Sequence, residues 1–147
     1  MTTSCKEEER AKELRNLGQR AVACEDWEWM LGMVDTDGWR ILRGEDESTG
    51  ASLVNASGEM MHDRSLSLAV LPDLTDPATL GCLLSLVEKR LEHPRGPMAI
   101  VPVNLWVAHP AWRVFAGFKY GSGIVVATEE SYEAALVQAL EVPLEWK

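Results

Sequence analysis

Apolar residues recur at a helical spacing in three parts of the chain, with polar residues between them. The first part predicts a helix from Ser4, which forms a capping-box pattern with Glu7, to about Val22. The second helix follows Pro77, and the third follows Thr128, which is predicted to cap it. The predicted core-facing residues are Ala11, Leu14, Leu17 and Ala21 in the first helix, Leu80, Leu83, Leu84, Val87 and Leu91 in the second, and Tyr132, Ala135, Leu136, Ala139 and Leu140 in the third.

The central helix has the most clearly marked start. Asp76 or Thr75 can accept hydrogen bonds from the first free amides of the helix. Pro77 then occupies the first helical position, where its missing N–H costs nothing. Gly81 and Cys82 are weak helix formers, and we expect them at a point where this helix comes close to a sheet.

Alternating and β-rich segments separate the helices. Residues 35–38 predict a hairpin turn with Gly38 at the position that tolerates a positive φ, and residues 55–63 are weakly ordered by composition. Pro102 removes a ladder donor, so its strand is an edge strand or carries a bulge. Strands are predicted at residues 27–34, 39–43, 51–54, 66–70, 98–107, 112–118 and 123–127.

Helices and strands are grouped along the chain rather than strictly alternating. This order favours an α+β fold, in which an antiparallel sheet is packed by an N-terminal, a central and a C-terminal helix. No repeat or long linker divides the sequence, so residues 1–147 are predicted to form a single compact domain. The strand order stays open, because a hairpin meander and a split sheet both fit the pattern.

Charge and composition exclude several classes of function. The formal net charge is −9, from 23 acidic and 14 basic residues, and such a surface repels phosphate backbones. We therefore expect no general nucleic-acid binding. No apolar run approaches the roughly 18 residues of a membrane span, so no membrane association is expected. Cys5, Cys24 and Cys82 are odd in number and far apart, which predicts neither a disulfide framework nor a zinc site and favours a reducing cytoplasm.

Residues that could carry catalysis occur without the patterns that catalysis needs. His62, His93 and His109 have no metal-binding partners at the usual spacings, and a surface or turn position suits each of them. Ser122 lies between two glycines but outside a nucleophile elbow, and the glycines at 117–123 match no phosphate loop. Cys82 lies among leucines, where a thiol is buried and inert. The sequence predicts no catalytic residue, metal or cofactor.

The six tryptophans are the more suggestive feature. Trp39–Arg40 and Trp112–Arg113 repeat an aromatic–basic pair on different predicted strands. An indole beside a guanidinium can stack a base and hold a phosphate. The alternative is that the tryptophans belong to the core and the arginines keep the surface soluble. The candidate ligand-binding residues are Trp39, Arg40, Arg43, Trp106, Trp112, Arg113, Lys119 and Tyr120.

Three blocks of the sequence resemble small proteins of tailed phages and prophages. LPDLTDPATLGCLLSLV at residues 71–87 is similar to a run LPDLTDPATLGCLLALV in those proteins. AVACEDWEWMLGM at 21–33 resembles their WRWxxGM block, with Glu28 at a position that is often arginine. TEESYEAALVQAL at 128–140 is similar to their TEAEALVAALE ending. The resemblance implies an origin, a fold and a location in the cytoplasm of a bacterial host, but no activity and no functional residues.

Three hypotheses of function follow. The first is a non-catalytic counter-defence protein that sequesters a small anionic or nucleotide-derived immune signal in a Trp/Arg-lined pocket, which a homo-oligomer would build. The second is a protein inhibitor that uses an acidic surface or exposed tryptophans to block a host defence nuclease or effector. The third is a virion-associated structural module. A compact aromatic–basic pocket would favour the first hypothesis, whereas an exposed apolar or acidic patch would favour the second.

Overall fold

A computed structural model of the chain describes residues 2–45, 49–66, 70–104 and 110–144. It contains three helices and two three-stranded antiparallel sheets, with a helix at the start, the centre and the end of the chain, so the predicted α+β class is confirmed. The helices are α1 (Thr2–Val22), α2 (Pro77–Arg90) and α3 (Tyr132–Glu141). The strands are β1 (Arg40–Arg43), β2 (Ala51–Val54), β3 (Met60–Arg64), β4 (Ala99–Asn104), β5 (Pro110–Lys119) and β6 (Ser122–Glu129).

The chain divides into two compact units, each with one sheet. Unit 1 is Met1–Cys82 and contains the order β1-β2-β3, whereas unit 2 is Leu83–Lys147 and contains β4-β5-β6. The predicted single domain stays a prediction. None of the helices in the described part of the chain is long and apolar enough to cross a membrane.

In unit 1, only the second half of α1 packs into the core. Leu17 and Ala21 are buried as predicted, but Ala11 is exposed and Leu14 is half-buried. Residues 5–13 are all exposed, because this stretch is dominated by charged side chains and has no apolar stripe to bury. The helix begins at Thr2, so Ser4 lies inside it rather than at its cap.

Two hairpin turns of the same construction shape the unit 1 sheet. Asp35 begins one turn and Asn55 the other, and each side-chain oxygen accepts hydrogen bonds from the backbone N–H groups two and four residues later. The distances are 2.9 Å for both bonds to Asp35, and 3.0 and 2.9 Å for those to Asn55. The third residue after each is a glycine with positive φ, Gly38 (88°) and Gly58 (85°). The first turn confirms the prediction, whereas the second orders a region that was predicted to be weakly ordered and leads into β3.

The strand predicted at residues 27–34 is wrong. The chain forms a loop there, with a turn at Leu31–Gly32 where Gly32 has φ 91°, and only Val34 makes an isolated bridge, to Arg40. A residue with positive φ breaks the two-residue alternation that a strand requires. Leu66 and Val70 lie in no strand, and Leu68 lies outside the described residues.

The start of α2 is capped by Asp76, one of the two predicted residues. Its Oδ2 accepts from the backbone N–H of Thr79 at 2.9 Å, whereas Thr75 donates its hydroxyl to Asp73 instead. Further along, Leu83, Leu86, Val87 and Leu91 are buried, and Leu80 and Leu84 are half-buried. The predicted close approach at Gly81 is wrong, because this glycine is exposed and a Cβ added to it would meet nothing within 4 Å.

In unit 2, the strands β4, β5 and β6 form an antiparallel meander, one of the two arrangements that the sequence left open. Pro102 lies in the edge strand β4 opposite Trp112, which agrees with the edge position predicted for it. The helix α3 packs against β5 and β6 and buries Ala134, Ala135, Leu136, Val137, Ala139 and Leu140. Its cap is Ser131 rather than the predicted Thr128, which belongs to β6. At the other end of α3, the Arg90 guanidinium donates to the carbonyls of Ala139 (2.9 Å) and Val142 (2.6 Å), groups that a helix end leaves unpaired.

Candidate interaction surfaces

The predicted aromatic–basic residues are distributed over both units. Trp39, Arg40 and Arg43 lie in unit 1, on or beside β1. The other four that the structure describes lie in unit 2: Trp112, Arg113, Lys119 and Tyr120. Trp106 lies outside the described residues, as does His109.

Arg40 is engaged in an internal network of unit 1. Its guanidinium pairs with the Asp76 carboxylate, with Nη2 3.1 Å from Oδ1, and its Nη1 donates to the Gly32 carbonyl at 2.6 Å. Asp76 Oδ2 also accepts from the Thr79 hydroxyl at 3.0 Å, and that hydroxyl oxygen accepts the Val34 N–H at 2.9 Å. Arg40 thus joins the start of α2 to the loop before β1, and its charge is already opposed by a carboxylate.

The same network sets the ionisation of Asp76. Burial alone would raise the pKa of this carboxyl, but the hydrogen bonds from Arg40 and Thr79 and the positive charge of Arg40 outweigh it. The pKa of Asp76 therefore lies below its ordinary value, and the group is ionised at neutral pH. The negative charge of ionised Asp76 also interacts favourably with the positive end of the α2 helix dipole.

The other two candidates in unit 1 have separate surroundings. Trp39 is half-buried, and its backbone N–H donates to the Asp35 carboxylate in the first hairpin turn. Arg43 is exposed at the end of β1, where its Nη2 lies 3.4 Å from the Gly50 carbonyl. As whole residues, Arg43 is exposed, whereas Trp39 and Arg40 are half-buried.

In unit 2, Trp112 and Arg113 are half-buried neighbours on β5. The Trp112 ring meets the Tyr132 ring edge to face, with centroids 5.2 Å apart, which attaches the start of α3 to the sheet. Arg113 Nε donates to the Thr128 hydroxyl on β6 at 3.2 Å. Desolvation, followed by the nearby charges of Glu88 and Glu133, raises the pKa of Tyr132, so this phenol is neutral at physiological pH.

Lys119 and Tyr120 form the tip of the β5–β6 hairpin. Tyr120 has φ 55° and Gly121 has φ 79°, the pattern of a two-residue turn with both central residues in the left-handed region. The Lys119 ammonium lies 5.1 Å from the centroid of the Tyr120 ring, within cation–π range. Tyr120 is 91% exposed, so the tip projects into solvent.

An apolar groove on unit 1 was missed by the sequence analysis. It is an open depression of about 740 Å³, here called the unit 1 groove. Leu31 and Leu42 contribute to it with 62% and 48% of their surface exposed. Its apolar lining consists of Trp29, Met30, Leu31, Leu42 and Leu66, and its charged residues are Glu28, Arg43 and Glu45.

Several hydrogen bonds hold the loop at residues 27–34, here called the groove loop, against β1. The Gly32 N–H donates to the Ile41 carbonyl and the Ile41 N–H to the Met33 carbonyl, both at 2.9 Å. The Cys82 thiol lies 3.6 Å from the Leu31 carbonyl, and Arg40 donates to the Gly32 carbonyl. Leu31 is therefore exposed on a fixed backbone. The signal in the sequence was an apolar run, Trp29–Met30–Leu31, next to a glycine turn, which had been assigned to a strand.

The reactive side chains among the described residues include a serine–histidine pair, with Ser52 Oγ 3.4 Å from Nδ1 of the exposed His62. Burial, followed by the nearby Asp76 charge, raises the pKa of the Cys82 thiol, so it is protonated at neutral pH. His93 Nδ1 accepts the Arg95 N–H at 3.0 Å, which confirms that this histidine belongs to a turn. Within the described ranges, no group of three or more His, Cys, Asp or Glu side chains could hold a metal ion.

In comparisons with known proteins, the chain matches no family model, no curated protein and no solved structure.

Proposed function

We propose that this is a non-catalytic binding protein that captures a segment of another protein in the unit 1 groove. The observation that carries the proposal is the pair of exposed leucines, Leu31 and Leu42, held beside Trp29 in one depression. Scattered apolar residues are ordinary on a protein surface, but a contiguous apolar lining marks an interaction site. Indole and leucine side chains also suit the anchors of protein interfaces.

Charge indicates the chemistry of the partner segment. Among the described residues that line the groove, Glu28 and Glu45 carry negative charges and Arg43 carries a positive charge. Arg43 reaches towards the Gly50 carbonyl, and the whole chain carries a net charge of −9. A segment with apolar anchors and flanking lysines or arginines would therefore complement the groove and be steered towards it.

The resemblance to tailed-phage proteins gives the biological setting of the proposal. An accessory phage protein that binds a host protein without catalysis fits an inhibitor of a bacterial defence nuclease or effector, acting in the host cytoplasm. Nucleases and nucleotide-dependent effectors present basic surfaces, which an acidic protein complements. This is the second of the hypotheses drawn from the sequence, and the groove is the reason for preferring it.

A small anionic or nucleotide ligand is the second candidate function, and Arg113 is the observation that favours it. Arg113 is half-buried, and its Nε donates to a neutral hydroxyl, that of Thr128, rather than to a carboxylate. A guanidinium whose charge is not opposed by a carboxylate can donate hydrogen bonds to a phosphate. Arg40 fits this function less well, because Asp76 already opposes its charge.

The experiment is affinity capture from a host lysate with matched surface variants. Leu31→Glu and Leu42→Glu place a charge in the groove, whereas Met60→Glu makes the same change at a residue of β3 that is 53% exposed and does not line it. We expect the wild type and Met60→Glu to capture the same protein and both groove variants to lose it. Capture that survives both groove variants would overturn the proposed site.

The two candidate functions are separated by a thermal-shift screen of the same proteins with cyclic oligonucleotides, cyclic ADP-ribose isomers and dinucleotides. A ligand at about 100 times its Kd stabilises the fold by about 2.7 kcal/mol. A shift in the wild type that Arg113→Ala abolishes, together with no captured protein, would replace the protein partner with a small ligand. A flat screen with groove-dependent capture would support the protein partner.

A further inference from the structure

The outer edge of β6 is an uncharged strand edge at the end of a sheet. The order β4-β5-β6 leaves β6 with a single strand neighbour, and residues 122–127 read Ser-Gly-Ile-Val-Val-Ala. Ile124 and Val125 are 41% and 53% exposed. Successive side chains of a strand point to opposite faces, so both faces of the sheet are open to solvent at this end of the hairpin.

Among the residues that the structure describes, cover for this edge is found towards the other end of β6. There the Gln138 side chain in α3 accepts the backbone N–H of Thr128 at 3.1 Å. A register shift opposite Val114 and Phe115 also places an extra residue, Val126, in β6. Both features limit the open edge to residues 122–125, the half next to the exposed tip.

The other three strand edges each carry a feature that prevents pairing. The outer side of β1 is occupied by the groove loop, which exchanges two hydrogen bonds with Ile41. β3 reads Met-Met-His-Asp-Arg, and Asp63 has φ 53°, which interrupts a regular edge. β4 contains Pro102, which has no N–H to donate. Charges, irregularities and prolines are the usual protection of sheet edges, and residues 122–125 carry no charge and no proline. The register shift between Ala116 and Lys119 places its extra residue in β5, so the outer strand itself has no inserted residue there.

We propose that residues 122–125 pair with the same edge of a second copy of this chain, so that two three-stranded sheets join into one six-stranded sheet. A two-fold axis brings the same strand of two copies together in antiparallel order, and an isologous contact of this kind closes with two subunits. The pairing is independent of the unit 1 groove and of its partner.

Charge favours a second copy over an unrelated strand. The chain carries a net charge of −9, yet the open edge itself has no charged residue, so two copies meet there without like charges in contact. Antiparallel pairing also brings the hairpin tip of one copy towards the far end of β6 in the other. The tip carries Lys119, and the far end carries Glu129 and Glu130, so the opposite charges approach each other.

The test is the mass of the full chain in solution, measured by light scattering and sedimentation over a range of protein concentrations. We expect the wild type to reach twice the chain mass of 16.3 kDa. Ile124→Lys and Val125→Lys should remain monomeric with an unchanged circular dichroism spectrum. Met60→Lys is the matched control, because Met60 is exposed to the same fraction as Val125, 53%, and should leave the dimer intact.

Amide hydrogen exchange locates the contact. We expect exchange at residues 122–125 to slow as the wild-type concentration rises, and to remain fast in the Val125→Lys variant. A wild type that is monomeric at every concentration would overturn the proposal. So would a dimer that survives both lysine variants, or one that forms without added protection at residues 122–125, since either result would place the contact elsewhere.

Discussion

The carboxylate of Asp76 connects three segments of unit 1. It caps α2 through Thr79, pairs with Arg40 at the start of β1, and through the Thr79 hydroxyl reaches the Val34 N–H. Only the cap could be predicted from the sequence, because capping depends on neighbours in the chain. The partner of Arg40 is 36 residues away, and no local pattern distinguishes a paired arginine from one that binds an anion.

Replacing Asp76 should therefore cost more than an ordinary surface substitution. Asp76→Ala removes the helix cap and the partner of Arg40, and we expect a loss of about 1–2 kcal/mol in the free energy of unfolding. Asp76→Asn keeps an oxygen for the cap and should lose less. Urea denaturation of the two variants and the wild type measures this order, and equal losses would show that the cap contributes little.

Acidification should remove part of the same contribution. The pKa of Asp76 is lower in the folded chain than its ordinary value, so the folded state favours the ionised carboxylate. This stabilisation is fully present at neutral pH and declines as the pH falls below about 4, where the unfolded chain begins to bind the proton. The difference in unfolding free energy between the wild type and Asp76→Asn should shrink as the pH is lowered through this range. A constant difference would contradict the assignment.

Gly81 shows how one residue type can occur for different reasons. It lies inside α2 at a point where an added Cβ would meet nothing within 4 Å, so Gly81→Ala should raise the free energy of unfolding by about 0.5–1 kcal/mol. Gly117→Ala is the contrasting variant, because Gly117 has φ 59° and an added Cβ would lie 2.8 Å from His93 Nδ1. We expect it to lower the melting temperature, whereas Gly81→Ala should raise it. A destabilised Gly81→Ala would mean that the glycine is needed after all.

At the scale of elements, the side chains that build turns decide which strands form. Residues 35–38 and 55–58 share the pattern of Asp or Asn followed by Gly three residues later, but only Asp-Thr-Asp-Gly was interpreted as a turn. Asn-Ala-Ser-Gly was assigned to a weakly ordered region because its composition is small and polar. The structure shows that the spacing of the side-chain acceptor and the glycine matters more than composition.

The second turn offers a direct test of this interpretation. Asn55→Ala removes the acceptor of two backbone N–H groups. Two such bonds are worth about 1–2 kcal/mol in the free energy of unfolding, and we expect a smaller loss because water reaches this exposed turn. Asn55→Asp keeps the acceptor and should stay close to the wild type. Thermal unfolding followed by circular dichroism compares the three proteins. A neutral Asn55→Ala would show that the β2–β3 pairing forms the turn without help from the side chain.

The sequence predicted the helices better than the strands. Helices α2 and α3 show a face that recurs over several turns, so one misassigned cap, Thr128 in place of Ser131, changes only their bounds. Residues 27–34 show the opposite case, because a single glycine with positive φ converts an apparent strand into a loop. That loop carries Leu31 and Trp29, so the error in the element also concealed the groove.

For the whole molecule, the charge of −9 should govern behaviour towards nucleic acids. We expect the chain to leave duplex DNA and single-stranded RNA unretarded in a gel at physiological salt, because no counterions are released when an acidic surface approaches phosphates. A basic protein of similar size is the positive control. Retardation that weakens steeply with salt would contradict this expectation and indicate a local basic surface.

The candidate site could be predicted from the sequence only as a set of residue types. Aromatic and basic side chains do occur at exposed positions, as at Arg43 and Tyr120, but their grouping depends on tertiary contacts. The Arg40 guanidinium pairs with the Asp76 carboxylate, and the Trp112 ring packs against the Tyr132 ring. What the sequence could not supply is which residues are adjacent in space, and this decides between a pocket for an anion and a groove for a protein segment.

The exposed first half of α1 makes the protein easy to label at a single site. Cys5 lies on this stretch and is exposed, whereas the Cys82 thiol is partly buried with a raised pKa. The Cys24 thiol donates to the Arg20 carbonyl one turn earlier. A maleimide dye should therefore react first at Cys5, since access and thiolate formation set the rate. A fluorophore attached to Cys5 lies on an exposed part of α1, so it should not disturb the core. The binding of a partner protein can therefore be followed by fluorescence anisotropy without introducing a cysteine.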